Sequence, residues 1–257
     1  MGALVTKSII HAGGESVRLK EIFDGPKALA PICRHTLLWF HLQPLLKSSP
    51  IREYTFTLRH RAEVVKEYLE RMKSQIPVPM SSIVEPKPLG RAGSVRLGIE
   101  QGIIQTNESY LMSNPDDLVP INVKHLMEYA EEANAKGKSV IMVMARKATN
   151  PFGIGLARKK GNLIELKGFQ EKPELEFLED HFASTGMTLF LPEAMKEFSK
   201  VPLDRATHPE NEIIPRLAVR NKVAVFVVER WFSVNYPADL KKVDSMGSKR
   251  LLKFLEV

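Results

Sequence analysis

The chain of 257 residues has a single cysteine, Cys33, so no disulfide can form within it and its stability has to come from packing. A lone thiol suits a reducing compartment, and a cytoplasmic location is the expectation. No apolar run approaches the roughly 20 residues of a membrane-spanning helix, so no membrane association is expected. The opening MGALVT matches an N-myristoylation pattern, but it runs straight into an apolar strand, and acylation is not expected. There is no Gly/Ser-rich linker and no internal repeat, which argues for one domain. A basic stripe interleaved with aromatics is also missing, although Lys and Arg (37) outnumber Asp and Glu (30) for a net charge of +7. The excess is scattered, as at Lys241-Lys242 and Arg158-Lys159-Lys160. That distribution argues against a nucleic-acid partner and for a solvated surface biased toward small anionic substrates.

What is present is ordinary globular composition, 44% hydrophobic and 26% charged, at a length that supports one large α/β domain. Residues 4–10 read as a buried first strand. Residues 53–58, 82–84, 110–113 and 140–144 read as further strands, with helical spacing over 62–72, 94–104 and 123–135 between them. This alternation predicts a mainly parallel sheet with helices on both faces. The second half is richer in β structure: residues 153–158 and 162–169 form a hairpin turning at Lys160-Gly161, followed by a strand over 187–191. Helices are expected over 193–199 and 210–219, a strand over 222–228, and one or two helices over 237–257.

Ligands on such sheets gather beyond the carboxyl ends of the strands. Residues 11–18, 85–91 and 114–118 all lie at such ends. The first of these, HAGGESVRL, places Gly13-Gly14 directly after a strand, with Arg18 and Lys27 close behind. Glycines let backbone N–H groups approach phosphate oxygens, and the two cations neutralise charge that the N–H groups only cradle. A Gly-Gly pair after a strand also makes an ordinary tight turn, so the motif gains its meaning from the loops that join it.

Five stretches in order, HAGGESVRL with PKALAPICRHTLL, EPKPLGRAG, LMSNPDDL, FQEKP with STGMTLFLP, and WFSVNYPADL, resemble the sugar-1-phosphate nucleotidylyltransferases. The resemblance covers nearly the whole chain. It implies a three-layer α/β/α fold with a mostly parallel, mixed central sheet. The Rossmann-like nucleotide-binding half would span 1–145, a β-rich sugar-binding lobe 146–236, and C-terminal helices 237–257. It further implies transfer of a nucleoside monophosphate from a nucleoside triphosphate to a sugar 1-phosphate, with Mg²⁺ as cofactor and pyrophosphate released. Homo-oligomers are possible in such a family.

Residue by residue, the resemblance implies that Ala12, Gly13 and Gly14 lie against the triphosphate. Arg18 would meet its β and γ oxygens, and Lys27 would stabilise charge at the α-phosphate. Glu85, Leu89 and Gly90 fall in the base-reading segment; an ionised glutamate only accepts hydrogen bonds, which favours a base presenting N–H donors such as guanine. Asp116 falls at the metal aspartate, with Asp117 beside it. Glu171, Lys172, Ser184 and Gly186 fall in the acceptor segment.

The chain also departs from the pattern. Ser16 and Val17 replace a glycine and a threonine of the phosphate loop, and serine tolerates positive φ poorly, so a reshaped loop is expected. Pro115 replaces a glycine before Asp116. Ser233 stands where many members have a second metal aspartate, and Asn235, two residues on, is the expected neutral ligand in its place. Ser184 replaces a sugar-contacting asparagine, and His11 has no assigned role. These changes leave three readings open: the transfer to a sugar 1-phosphate, the same chemistry on another phosphorylated acceptor such as phosphocholine or a cofactor phosphate, and a catalytically impaired subunit that binds nucleotide sugars.

Overall fold

The computed structural model describes residues 6–47, 50–146, 154–170 and 181–256. Among these residues the framework is a nine-stranded sheet made of β1 (Thr6–His11), β2 (Ile51–Leu58), β3 (Met80–Val84), β4 (Ser109–Ser113), β5 (Val140–Ala145), β6 (Ile154–Lys160), β7 (Leu163–Gln170), β8 (His181–Phe190) and β9 (Val223–Val228). The spatial order is β3-β2-β1-β4-β8-β5-β9-β7-β6, and β8 also touches β6. Strands β1 to β4 run parallel to one another, as do β5 and β9. β8 enters between β4 and β5 antiparallel to both, and β7 is antiparallel to β9 and β6. The β-rich second half is therefore continuous with the main sheet rather than set apart from it.

The strand sequences explain the layering. β5 reads VIMVMA and is buried along its whole length. Ile141, Val143 and Ala145 face one core cluster, and Val140, Met142 and Met144 face another. A strand that is apolar on both sides needs helices over both faces. Helices α2 (Ala62–Met72) and α4 (Val123–Ala135) cover the first face, with residues such as Val65, Leu69, Leu126 and Ala130. Helices α3 (Gly90–Glu100), α5 (Pro192–Phe198) and α7 (Ile214–Val219) cover the second. α1 (Leu37–Lys47) packs on the first cluster through Leu38, Leu42 and Leu45. With Leu37 and Phe40 it joins a third cluster, closed by α8 (Pro237–Met246) and α9 (Ser248–Leu255). Among the described residues no helix is long and apolar enough to cross a membrane.

Four elements differ from the sequence expectation by more than a residue or two at their ends. β8 begins at His181, six residues before the predicted start. α3 starts at Gly90, four residues before the predicted start, and stops before Gly102, which sits at φ +72°. The earlier start brings the first turn of α3 to the sheet's carboxyl edge. The helix expected over 210–219 is two short ones, α6 (Pro209–Glu212) and α7, because Pro215 lacks the N–H that would continue the first. α1 was not foreseen; it carries Pro44 in its interior.

Candidate active site

Because β1 to β4 are parallel, their carboxyl ends share one edge of the sheet, and the segments that follow them meet there. Residues 11–18, Arg59, 85–91 and 114–117 come from these ends. Facing them are β8 at 184–186 and the segments 206–210 and 231–235, which together enclose a cleft of about 510 Å³.

The first loop is held from several sides. The Ala12 amide donates to the Thr57 carbonyl (2.9 Å), and the Lys27 amide to the Gly14 carbonyl (3.2 Å). A side chain at Gly13 would come within 3.0 Å of the Arg59 backbone nitrogen, so this glycine is fixed by close approach to the end of β2. Ser16 sits at φ −81°, and its buried hydroxyl donates to the Gly25 carbonyl at 2.6 Å. The expected conflict between serine and a left-handed backbone does not arise, and the hydroxyl closes the loop instead. Arg18 lies over the Tyr236 ring, 5.2 Å from its centre. Arg59 pairs with Glu15 at 2.8 Å.

On the acidic side, the Lys27 ammonium pairs with the Asp116 carboxylate and donates to Asn235 Oδ1 at 3.1 Å. Asn235 Nδ2 donates to Ser233 Oγ at 2.8 Å, which turns Oδ1 toward the lysine. The segment carrying Asn235 is itself fixed: Asp239 Oδ2 accepts from the amides of Asn235 (3.0 Å) and Tyr236 (2.9 Å) in the capping box that starts α8. The Val234 amide donates to the Asp116 carbonyl (2.8 Å), and Asp117-Leu118 pair antiparallel with Phe232-Ser233. Asp116 and Asn235 thus aim two oxygens at one cation, the lysine ammonium. Such a hard-oxygen pair also fits a divalent ion that keeps most of its waters. Among the described residues no group of three or more His, Cys, Asp or Glu is arranged to cage a metal.

Asp117 lies buried behind this pair. Trp231 Nε1 donates to one of its oxygens and Asn114 Nδ2 to the other, both at 3.1 Å. Burial, reinforced by neighbouring Asp116, pushes its carboxyl up to about 7. His41 of α1 bridges the Asp117 carbonyl (3.0 Å) and Ser113 Oγ (2.8 Å); the carbonyl only accepts, so Nδ1 carries the proton. Burial lowers the His41 pKa to about 4. Gly186, at φ +74°, packs directly on Asp117, and a Cβ there would fall 2.2 Å from Oδ2.

At the other end of the cleft, Glu85 Oε2 accepts the Leu89 amide at 3.1 Å, and burial raises its pKa. Gly90 takes φ +71° with Thr207 backbone against it. Arg91 pairs with Glu210 at 2.9 Å and reaches Asn114 Oδ1 at 3.5 Å. His11 Nδ1 contacts Thr57 Oγ1 at 3.0 Å; burial, then the charges of Arg91 and His208, lower its pKa to about 3.

Of the residues expected from sequence, Ala12, Gly13, Gly14, Arg18, Lys27, Glu85, Gly90, Asp116, Ser184, Gly186 and Asn235 all line this one cleft. Leu89 is buried just behind it, its carbonyl taking the Thr207 amide at 2.8 Å. Glu171 and Lys172 lie outside the described residues. The cleft also holds Arg59, Arg91, His208, Glu210 and Trp231, to which the sequence motifs assign no role. Arg91 and Trp231 sit inside stretches already singled out, EPKPLGRAG and WFSVNYPADL; residues 206–210 carry no motif that marks them.

Residues 7–245 match the family profile described as nucleotidyl transferase. Mannose-1-phosphate guanyltransferase 2 of Candida glabrata is 25% identical over 236 residues, and the mannose-1-phosphate guanyltransferase of Eremothecium gossypii is 26% identical over 238. In both cases the match takes in 91% of this chain and 62% of the relative, so the chain spans under two thirds of their length. Among solved structures, a UDP-glucose pyrophosphorylase complexed with UDP-glucose superposes with a TM-score of 0.77 at 14% identity, covering 94% of this chain and 98% of the other. HddC from Yersinia pseudotuberculosis complexed with GMP-PN gives 0.68 at 16%, covering 94% and 99%. These structural likenesses bear on the fold.

Proposed function

Because the chain belongs to the nucleotidyl transferase family, we propose that its cleft transfers a nucleoside monophosphate from a nucleoside triphosphate to a sugar 1-phosphate. The observation that carries this reading is the meeting of Arg18, Lys27, Asp116 and Asn235, from separate stretches of the chain, in one cleft behind a glycine loop. A phosphate oxygen of the sugar phosphate attacks the α-phosphorus. The bond from that phosphorus to the bridging oxygen breaks, and pyrophosphate leaves with the electron pair. A phosphate nucleophile is already ionised near neutral pH, so no general base is needed.

Catalysis of this kind is positioning and charge neutralisation. Gly13 and Gly14 let the triphosphate come down onto the backbone, and Arg18 swings from Tyr236 onto its outer oxygens. Lys27 neutralises charge at the α-phosphoryl oxygens and on the departing pyrophosphate. Asp116 and Asn235 would hold Mg²⁺, which when bound draws charge from phosphate oxygens as a Lewis acid. Ser184 and Gly186 border the acceptor, with Glu171 and Lys172 assigned to the same substrate by resemblance. Residues 1–145 then form the nucleotide half and 146–236 the acceptor half.

Guanine is the proposed base. Glu85 spends one oxygen on the Leu89 amide and keeps the other as an acceptor for N–H donors, a choice in keeping with the guanyltransferase relatives. The test is a panel of four nucleoside triphosphates against mannose 1-phosphate, glucose 1-phosphate and phosphocholine with Mg²⁺, read as pyrophosphate release. GTP with a hexose 1-phosphate is expected to dominate. Release only with phosphocholine would move the acceptor class, and no release with any pair despite GTP binding would favour a non-catalytic subunit.

A further inference from the structure

Arg91 and Glu210 play no part in the chemistry above, yet both face the cleft. Arg91 is in the first turn of α3, immediately after Gly90 on the base side, and its guanidinium reaches toward Asn114 as well as Glu210. Asn114 in turn borders Gly186, where an added Cβ would lie 2.5 Å from Nδ2. The pair therefore stands between the base-reading loop and the acceptor side. Its side chains are 27% and 9% exposed, which leaves the guanidinium partly open to the cleft.

We infer that Arg91 and Glu210 form an acceptor-reading pair that takes two neighbouring hydroxyls of the sugar ring; this rests on the transfer reaction proposed above. The guanidinium only donates and the ionised carboxylate only accepts. Side by side they complement a vicinal diol, in which one hydroxyl accepts from Arg91 and the other donates to Glu210. The pair carries no net charge, so it does not compete with Arg18 and Lys27 for phosphate. It also opposes an acidic sugar, because a carboxylate brought to Arg91 meets Glu210 beside it. A purely architectural role, clamping residues 206–210 to α3, is already filled by backbone bonds. The Thr207 amide donates to the Leu89 carbonyl (2.8 Å) and the Ala92 amide to the Thr207 carbonyl (2.9 Å).

The test uses the whole chain and the variants Arg91→Met, Arg91→Lys and Glu210→Gln. Calorimetric binding of mannose 1-phosphate, glucose 1-phosphate and glucuronic acid 1-phosphate is read beside steady-state KM values for acceptor and GTP. Arg91→Met is expected to weaken hexose 1-phosphate binding and raise acceptor KM about tenfold or more, the scale of a lost hydrogen bond to a charged group, while KM for GTP stays within about twofold. Arg91→Lys should recover part of the loss. Glu210→Gln should raise the preference for glucuronic acid 1-phosphate over glucose 1-phosphate about tenfold. If Arg91→Met fails to fold, the near-isosteric Glu210→Gln still decides the question through that preference. Equal changes in the two KM values, an unchanged acid-to-neutral preference, or a wild-type chain that binds no hexose 1-phosphate would overturn the inference. Binding that depends on Arg91 in a chain that releases no pyrophosphate would keep it and reject the transfer reaction.

Discussion

Gly90→Ala and Gly102→Ala separate two costs that usually come together. Both glycines have nearly the same positive φ, +71° and +72°, so an alanine at either one pays a left-handed penalty of about 1–2 kcal/mol. At Gly102 nothing among the described residues lies within 4 Å of the added Cβ, and that penalty should be the whole effect. At Gly90 the Cβ would sit 2.4 Å from the Thr207 carbonyl oxygen, 2.6 Å from its nitrogen and 2.9 Å from its carbonyl carbon. These are backbone atoms that cannot rotate away, so overpacking adds about 1–3 kcal/mol, for a total of about 2–5 kcal/mol. Against a domain stability of about 5–15 kcal/mol, that loss is large. Urea unfolding followed by circular dichroism measures both variants, provided the slope of each transition matches wild type. Gly90→Ala should also weaken GTP binding, since relief requires the loop at 85–90 to part from residues 206–210, whereas Gly102→Ala should leave it unchanged. Equal destabilisation by the two substitutions would refute the claim that these segments are packed backbone to backbone.

Lys138→Met should cost about 3–5 kcal/mol, because the fully buried ammonium spends its three protons on Glu165, the Asn221 carbonyl and the Asn221 side chain, each at 2.9 Å, and the substitution takes the Lys138 charge away from a buried carboxylate. The double variant Lys138→Met/Glu165→Leu should recover part of that loss in the same urea assay; a double variant weaker than the single would contradict the buried-pair account. His11 is held neutral in the fold to about pH 3, against an ordinary value near 6.5, so unfolding takes up a proton between these limits. Its contribution to stability is complete above about pH 6.5, declines as pH falls, and levels off below about 3. His11→Gln should reduce the slope of stability against pH between 4 and 6 by about 1.4 kcal/mol per unit, one proton's worth, and an unchanged slope would remove the assignment. Asp116→Asn should cut turnover at least about a hundredfold while moving the urea midpoint little, since the carboxylate is partly exposed; full activity in this variant would sink its place as a metal ligand.

The parallel half of the sheet was legible because its strands are short apolar runs separated by helices of regular spacing. α2 and α4 have the predicted bounds, 62–72 and 123–135. α1 was harder to see because Pro44 contradicts helix propensity locally, and packing against two clusters overrides it. The shift of α3 has a similar cause: the run GRAGSVRLGIE gives a weak helical signal, and the helix is fixed by buried Ala92 and Val95 and by backbone contact with Thr207. In the cleft, the placing of residues near glycine or aspartate motifs was readable, down to Asn235, which falls beside Lys27 and Asp116. Asp117 was read as a companion of Asp116, but its burial under Trp231 and Gly186 joins residues more than 60 positions apart, which periodicity does not reveal. Glu210 opens a helix that the sequence predicts but belongs to no functional motif, and the fold brings it to Arg91.

The central claim, direct joining of a nucleotide to a sugar phosphate in this cleft, is tested most directly by ³¹P NMR of the purified chain with Mg²⁺, mannose 1-phosphate and one diastereomer of GTP carrying sulfur on the α-phosphorus. The account predicts pyrophosphate and a nucleotide sugar in equal amounts, with inverted configuration at that phosphorus from a single in-line displacement. Retained configuration, or no nucleotide sugar while the triphosphate still binds, would contradict it.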